Sequence, residues 1–126
     1  MAVHLGQTFV TPQAPGVLPH LWMVLSDPSR GERVVLANMS SRPCPSGEVL
    51  DVRQGEHPFV SHTSYLRFAE VRVADRGSLE KLLTTAQLRP SHDLTPDLLR
   101  RIQVAVAASK VVPIEAARIL TAQGLV

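Results

Sequence analysis

The residues in this sequence best suited to chemistry are histidines, serines and an arginine. The stretch GEHPFVSHTSYLRFAEVR, residues 55–72, holds two histidines, two serines and two arginines beside a strand-like pattern. With a histidine and a serine pair further upstream, the candidate set is His20, Ser40, Ser41, His57, His62, Ser64 and Arg67. Histidine exchanges protons near neutral pH and arginine keeps its positive charge, so the set is suited to acid–base chemistry on a phosphodiester.

Cleavage of RNA by attack of its own 2′-hydroxyl needs these groups and no metal. A base removes the hydroxyl proton, an acid protonates the leaving oxygen, and a cation offsets the charge that develops on the phosphorane. We expect the three histidines to be the candidates for acid and base. We expect Arg67 to stabilise the phosphorane and the serines to position the RNA backbone.

Each of these residues also has an ordinary structural explanation. His20 fits the exposed end of a strand, and the other two histidines fit turn and surface positions. Arg67 lies inside an apolar, alternating segment, where a charge needs a partner or a ligand. An ion pair with Glu56 or Glu70 explains it as well as a substrate contact does.

Other familiar site motifs are missing from the sequence. There is no phosphate-cradling glycine loop, no Gly-x-Ser-x-Gly elbow, and no third ligand at a zinc spacing from His57 and His62. We therefore expect neither a metal nor another cofactor. A small metal-dependent hydrolase that uses the histidines remains a further alternative.

Composition bounds the kind of protein that carries these residues. The chain has 126 residues, 44% hydrophobic and 19% charged, which predicts one folded domain over residues 1–126. A net charge of +2 neither requires nor excludes a polyanionic partner. Cys44 is the single cysteine, and no segment approaches 18 apolar residues, so we expect a cytoplasmic protein without a membrane span.

The order of the predicted elements indicates an α+β domain, with a β part over about 4–75 and a helical part over about 77–124. A loop over Thr11–Pro19 is of a length that often carries function. Residues 27–32 have the composition of a hairpin turn. Strands are predicted over 4–10, 20–26, 33–39, 48–52 and 64–73. In the last strand, alternation would place Tyr65, Arg67, Ala69 and Val71 on one face.

Three helices are predicted in the remaining third of the chain. The first begins with Ser78 as its N-cap. The second has Thr95 as N-cap and Pro96 at its first position, both common helix-start signals. The third follows Pro113 and ends at Gly124.

The stretches LWMVLSDP, VVLANMSS, SYLRFAEVRVAD and LTPDLLRRIQVAV occur in an order that resembles the MazF/PemK family of toxin endoribonucleases. The resemblance runs from about His4 to Ala108. It implies a small SH3-like β-barrel of five or more short strands with C-terminal helices. It also implies a homodimer that cleaves single-stranded RNA without a metal and is neutralised by a cognate antitoxin protein.

The same resemblance implies roles for particular residues. His20 falls where family members place a substrate-contacting residue, Arg67 matches the strand arginine that acts as acid or phosphate stabiliser, and Ser40 and Ser41 match a hydroxyl pair that contacts the RNA backbone. Two residues after that arginine, where PemK-type members carry an aspartate base, this chain has Ala69. The usual Arg-Pro entry to the second strand is replaced by LPHLW. Either a histidine has become the base, or the chain is a non-catalytic SH3-like module that binds protein or nucleic acid.

Overall fold

A computed structural model describes residues 2–11 and 20–126. Apart from Thr11, the predicted loop Thr11–Pro19 lies outside the described residues. Seven strands and three α-helices form in these ranges, which confirms the α+β class. The strands are β1 Thr8–Val10, β2 Leu21–Val24, β3 Arg33–Ser40, β4 Asp51–Val52, β5 Ser64–Leu66, β6 Arg72–Asp75 and β7 Arg89–Ser91. The helices are α1 Arg76–Thr84, α2 Pro96–Ala108 and α3 Ile114–Ala122.

The long strand β3 organises the sheet. All strand pairings are antiparallel, and the strand order is β4-β5-β3-β2-β1-β7, with β6 also paired to β3. One edge of β3 pairs with β2 through the predicted hairpin. Its other edge is divided, since residues 33–36 pair with β6 and residues 39–40 pair with β5. Within the described residues the sheet does not close on itself.

Helices cover the sheet on both sides, and this explains why β3 is apolar on both of its faces. The face toward α2 and α3, called the inner face here, contributes Met23 and Val35 to a cluster that includes Ile102 of α2. The opposite, outer face contributes Val34 and packs with Leu79 of α1. Because side chains alternate along a strand, a strand covered on both sides needs a nearly continuous apolar run.

The predicted starts of the second and third helices are confirmed. Thr95 Oγ1 accepts the Leu98 N–H at 3.3 Å, and Pro96 opens α2. Helix α3 follows Pro113, and Gly124 just beyond it has a φ of +70°, a conformation that glycine adopts readily. In the described part of the chain, no helix is both long enough and apolar enough to cross a membrane.

The predicted cap of the first helix is wrong. Helix α1 is capped by Asp75, whose carboxylate accepts the Ser78 N–H at 2.9 Å and the Ser78 hydroxyl at 3.2 Å. Those hydrogen bonds hold the pKa of Asp75 below its usual value. Ser78 therefore lies inside the first turn as a donor and does not cap it.

The single strand predicted over 64–73 is also wrong. It forms β5 and β6, separated by a 3-10 turn over Phe68–Glu70. The register against β3 slips by three residues between the pairs Met39–Leu66 and Leu36–Arg72, and the turn holds the extra residues. As a result Val71 is buried in the inner-face cluster, and the expected common face of Tyr65, Arg67, Ala69 and Val71 does not form.

A buried polar contact between α2 and the residue that follows β2 gives a test of this packing. Gln103 is 4% exposed and its Nε2 donates to the Leu25 carbonyl oxygen at 2.8 Å. Gln103→Leu leaves that carbonyl without its partner, so we expect the free energy of unfolding in urea to fall by about 1–3 kcal/mol. Val104→Leu, at a neighbouring position that is 47% exposed, should change it by less than about 0.5 kcal/mol. Equal effects of the two substitutions would contradict the assigned contact.

Candidate functional site

An open cavity of about 370 Å³ lies where β3 ends and the loop before β5 approaches it. Five of the seven candidate residues from the sequence line it. The lining residues are His20, Met39, Ser40, Ser41, Phe59, Ser61, His62 and Ser64. Side chains from three separated segments of the chain therefore meet at one place.

The strand register brings the first two segments together. Trp22 of β2 lies directly opposite Asn38 of β3, and continuing this register by two residues sets His20 across from Ser40. The His20 backbone is held by Thr11, whose Oγ1 accepts the His20 N–H at 3.0 Å and whose N–H donates to the His20 carbonyl at 3.1 Å. These bonds extend the β1–β2 pairing by one more residue and fix His20 at the rim.

The third segment is the loop between β4 and β5, which contributes His62. The Ser61 Oγ lies 3.3 Å from His62 Nδ1, and the Ser64 hydroxyl donates to the His62 carbonyl oxygen at 3.3 Å. His62 Nε2 has no hydrogen-bond partner among the described residues. This nitrogen is therefore available to exchange a proton with a ligand in the cavity.

An ion pair ties this loop to α2. Arg101 Nη1 donates to Glu56 Oε1 at 2.8 Å and Nη2 donates to Glu56 Oε2 at 3.0 Å. The Glu56 carboxylate also accepts the Arg53 N–H at 2.7 Å, after a turn in which Gly55 has a φ of +96°. The bonds from Arg101, and then the bond from the Arg53 backbone, lower the pKa of Glu56.

His57 lies outside the cavity and has a structural role. It is 2% exposed, its Nε2–H donates to the His92 carbonyl oxygen at 2.6 Å, and its Nδ1 accepts the Phe59 N–H at 3.0 Å. Both ring nitrogens are occupied by backbone groups, so neither has a free lone pair with which to act as a base. His57 instead joins the loop before β5 to the end of β7.

Arg67 also does not line the cavity. Its N–H donates to the Asn38 carbonyl at 2.9 Å, and its Nε lies 3.3 Å from Glu70 Oε2 without the alignment of a hydrogen bond. The ion pair with Glu70 is one of the alternatives that the sequence left open. Ala69, which replaces the family's aspartate, lies in the 3-10 turn.

Three lining residues are absent from the sequence-based set. Ser61 and Met39 carry no distinguishing pattern, because one is a loop serine and the other reads as a core residue of β3. Phe59 could have been identified from the sequence, since it is one of three phenylalanines in a chain with 4% aromatics and follows the His-Pro of the loop. It is 38% exposed and offers an aromatic surface at the cavity.

The cavity lining offers two imidazoles and four hydroxyls, and no Asp, Glu, Lys or Arg from the described residues. Over residues 2–11 and 20–126, His, Cys, Asp and Glu side chains form no group of three that could hold a metal ion.

No protein-family model matches the sequence, and a comparison with curated proteins finds no match.

The Glu56–Arg101 pair predicts an acid-dependent stability. Because folding lowers the pKa of Glu56 below its ordinary value of 4.5, the stabilisation is fully present above pH 4.5 and is lost as the pH falls through the folded-state pKa. At pH 7 Glu56→Gln should lower the free energy of unfolding by roughly 0.5–1 kcal/mol, since both side chains are partly exposed.

Urea unfolding from pH 7 to pH 3 measures this difference. The curves of the parent and of Glu56→Gln should converge in acid. Asp51→Asn is the matched control, because Asp51 forms a more exposed pair with Arg53 at 3.2 Å. A gap between parent and Glu56→Gln that stays constant down to pH 3 would show that the pair does not act as described.

Proposed function

We propose that this chain is a metal-independent endoribonuclease of the MazF/PemK-like type, the toxin of a toxin–antitoxin pair, which cleaves single-stranded RNA in the cavity of His20 and His62. One observation carries the proposal: two histidines from separate segments share an open cavity with serine hydroxyls. That combination supplies an acid, a base and donors to phosphate oxygens in one place.

Each residue of the proposed site has a role that follows from the chemistry of its side chain. His20 and His62 form the acid–base pair, one accepting the 2′-hydroxyl proton and the other protonating the 5′-oxygen that leaves. The hydroxyls of Ser40, Ser41 and Ser64 donate to the phosphate oxygens. Phe59 offers a surface for stacking a base of single-stranded RNA, a common mode of recognition. His57 has no part in the reaction, because backbone groups occupy both of its nitrogens.

Arg67 is the proposed source of positive charge for the phosphorane. It lies across from Asn38, next to the Ser40 rim of the cavity, and its side chain is 31% exposed. Glu70 holds the guanidinium in the ligand-free chain, and the phosphate competes with that carboxylate when RNA binds. Bound RNA displaces water from the open cavity, and electrostatic attraction then declines more slowly with distance, so a charge beside the cavity can act on the phosphorane.

An SH3-like barrel belongs to the same proposal. The division of β3 between β6 and β5, with a turn inserted between them, is the kind of bend that lets a small sheet curl. The resemblance of the sequence supports the remaining parts, namely a homodimer, a cognate antitoxin and a place in the cytoplasm.

A non-catalytic SH3-like module is the second candidate function. One observation favours it: the described lining has no arginine or lysine, and Ala69 stands where an aspartate base would be expected. Such a module would bind a protein or nucleic acid in the same cavity without cutting it.

Cleavage with metal removed distinguishes the two candidates. The purified chain in excess EDTA should cut single-stranded RNA and leave 2′,3′-cyclic phosphate ends, detected by mass spectrometry. A substrate with deoxyribose at the cut position should survive. His20→Ala and His62→Ala should each lower kcat by about 10²–10⁴-fold.

His4→Ala is the matched control, because His4 is 56% exposed, is paired with Asp93 at 2.7 Å and lies outside the cavity lining. It should retain parental activity, and circular dichroism should show that all variants are folded. Intact RNA over pH 5–9, or cleavage that His20→Ala and His62→Ala leave unchanged, would overturn the endoribonuclease proposal.

A further inference from the structure

A second cavity lies on the outer face of the sheet, beside α1. It has a volume of about 260 Å³ and a mostly apolar lining that includes Phe9, Trp22 and the partly exposed Leu82. Arg72 and Asp75 provide the charged groups of its lining. The proposed chemistry in the His20–His62 cavity does not use this groove.

The groove and the His20–His62 cavity are neighbours along the same strands. Phe9, Trp22 and Asn38 lie directly opposite one another across β1, β2 and β3, so they form one row on the outer face. His20 lies two residues before Trp22 and Ser40 lies two residues after Asn38, which on antiparallel strands is the same direction and a rise of about 7 Å. A ligand in the His20–His62 cavity therefore passes beside Trp22 if it continues along the sheet.

Trp22 and Arg72 form a stacked pair in the groove. The Arg72 guanidinium carbon lies 4.9 Å from the centre of the Trp22 ring, and Arg72 itself is exposed. Planar guanidinium and indole groups are the surfaces on which unpaired bases stack. Asp75 at the groove disfavours a phosphate there but can accept a hydrogen bond from the amino group of a base.

Two polar atoms in the same row have no hydrogen-bond partner in the part of the chain that the structure describes. Asn38 is 3% exposed, and its Oδ1 accepts no hydrogen bond from residues 2–11 or 20–126. Arg67 follows in the row, since its N–H donates to the Asn38 carbonyl, and its buried Nε also makes no hydrogen bond. A buried acceptor and a buried donor that make no hydrogen bond are each costly in a folded protein. The polar edge of a nucleobase presents both a donor and an acceptor.

We propose that Trp22, Arg72 and Asn38 form a nucleobase subsite, which binds the base of a nucleotide adjacent to the phosphate held in the His20–His62 cavity. This inference rests on the proposed ribonuclease function for the identity of the ligand as single-stranded RNA. The base stacks on the Trp22–Arg72 pair, and its polar edge reaches Asn38 and Arg67. The groove thereby selects a base, while the cavity holds the backbone.

Tryptophan fluorescence tests this subsite without any need for cleavage. Trp22 is the single tryptophan of the chain, so its emission reports on this position alone. The probes are four homopolymeric hexamers of 2′-O-methyl nucleotides, which 2′-hydroxyl attack cannot cut. At least one should quench Trp22 emission to saturation, whereas a 2′-O-methyl hexamer without bases should not.

Three variants distinguish the loss of a stacking contact from the loss of a positive charge and from a loss of folding. Arg72→Ala should weaken hexamer binding at least about fivefold, as expected for a lost stacking contact. Arg118→Ala removes the same charge from an exposed position on α3, across the sheet, and should weaken it less than twofold. Asn38→Leu should raise the Tm, because it removes a buried amide oxygen that has no partner, and yet weaken binding at least about fivefold.

The possible results distinguish failure of the nucleobase subsite from failure of the ribonuclease proposal. Hexamer binding is measured independently by the anisotropy of a 5′ label. If RNA is cleaved and the hexamers bind without changing Trp22 emission, the subsite is wrong and the nuclease proposal stands. If Trp22 emission is quenched in a base-dependent way but RNA is not cleaved, the nuclease proposal is wrong and the subsite stands. No binding of any hexamer together with uncut RNA would overturn both.

Discussion

The divided edge of β3 is the constraint on which the rest of the structure depends. One strand pairs with β2 along one side and with β6 and then β5 along the other, and the three-residue slip between them forces the chain into a 3-10 turn. This arrangement lets a single row of residues run across four segments, from Phe9 through Trp22 and Asn38 to Arg67. The next row holds the histidine and serine at the rim of the cavity.

The loop that supplies His62 is held by polar contacts together with Val60, which is buried in the inner-face cluster. Both ring nitrogens of His57 form hydrogen bonds with backbone groups, and Arg101 of α2 donates two hydrogen bonds to the Glu56 carboxylate. Buried or partly buried bonds of this kind fix the position of a loop with few atoms, but each is sensitive to the loss of one partner. The same loop can thus stay in place beside an open cavity while His62 remains exposed.

Sequence patterns located most elements and a large part of the cavity, for physical reasons that differ between residues. The start of α2 follows from Thr95 and Pro96, since capping chemistry is local. The break between β5 and β6 has no local signal, because it arises from the pairing of both segments with β3. Strand β7 was not predicted, as its Arg-Pro-Ser sequence has no apolar alternation. His57 and His62 look equivalent in sequence, and only the distant His92 carbonyl distinguishes the structural histidine from the exposed one.

The pH dependence of RNA cleavage in EDTA reports whether His20 and His62 act as an acid and a base. We expect a bell-shaped profile of kcat/KM, with one limb lost in His20→Ala and the other in His62→Ala. A profile that keeps both limbs in both variants would show that the proton transfers occur elsewhere and would contradict the account.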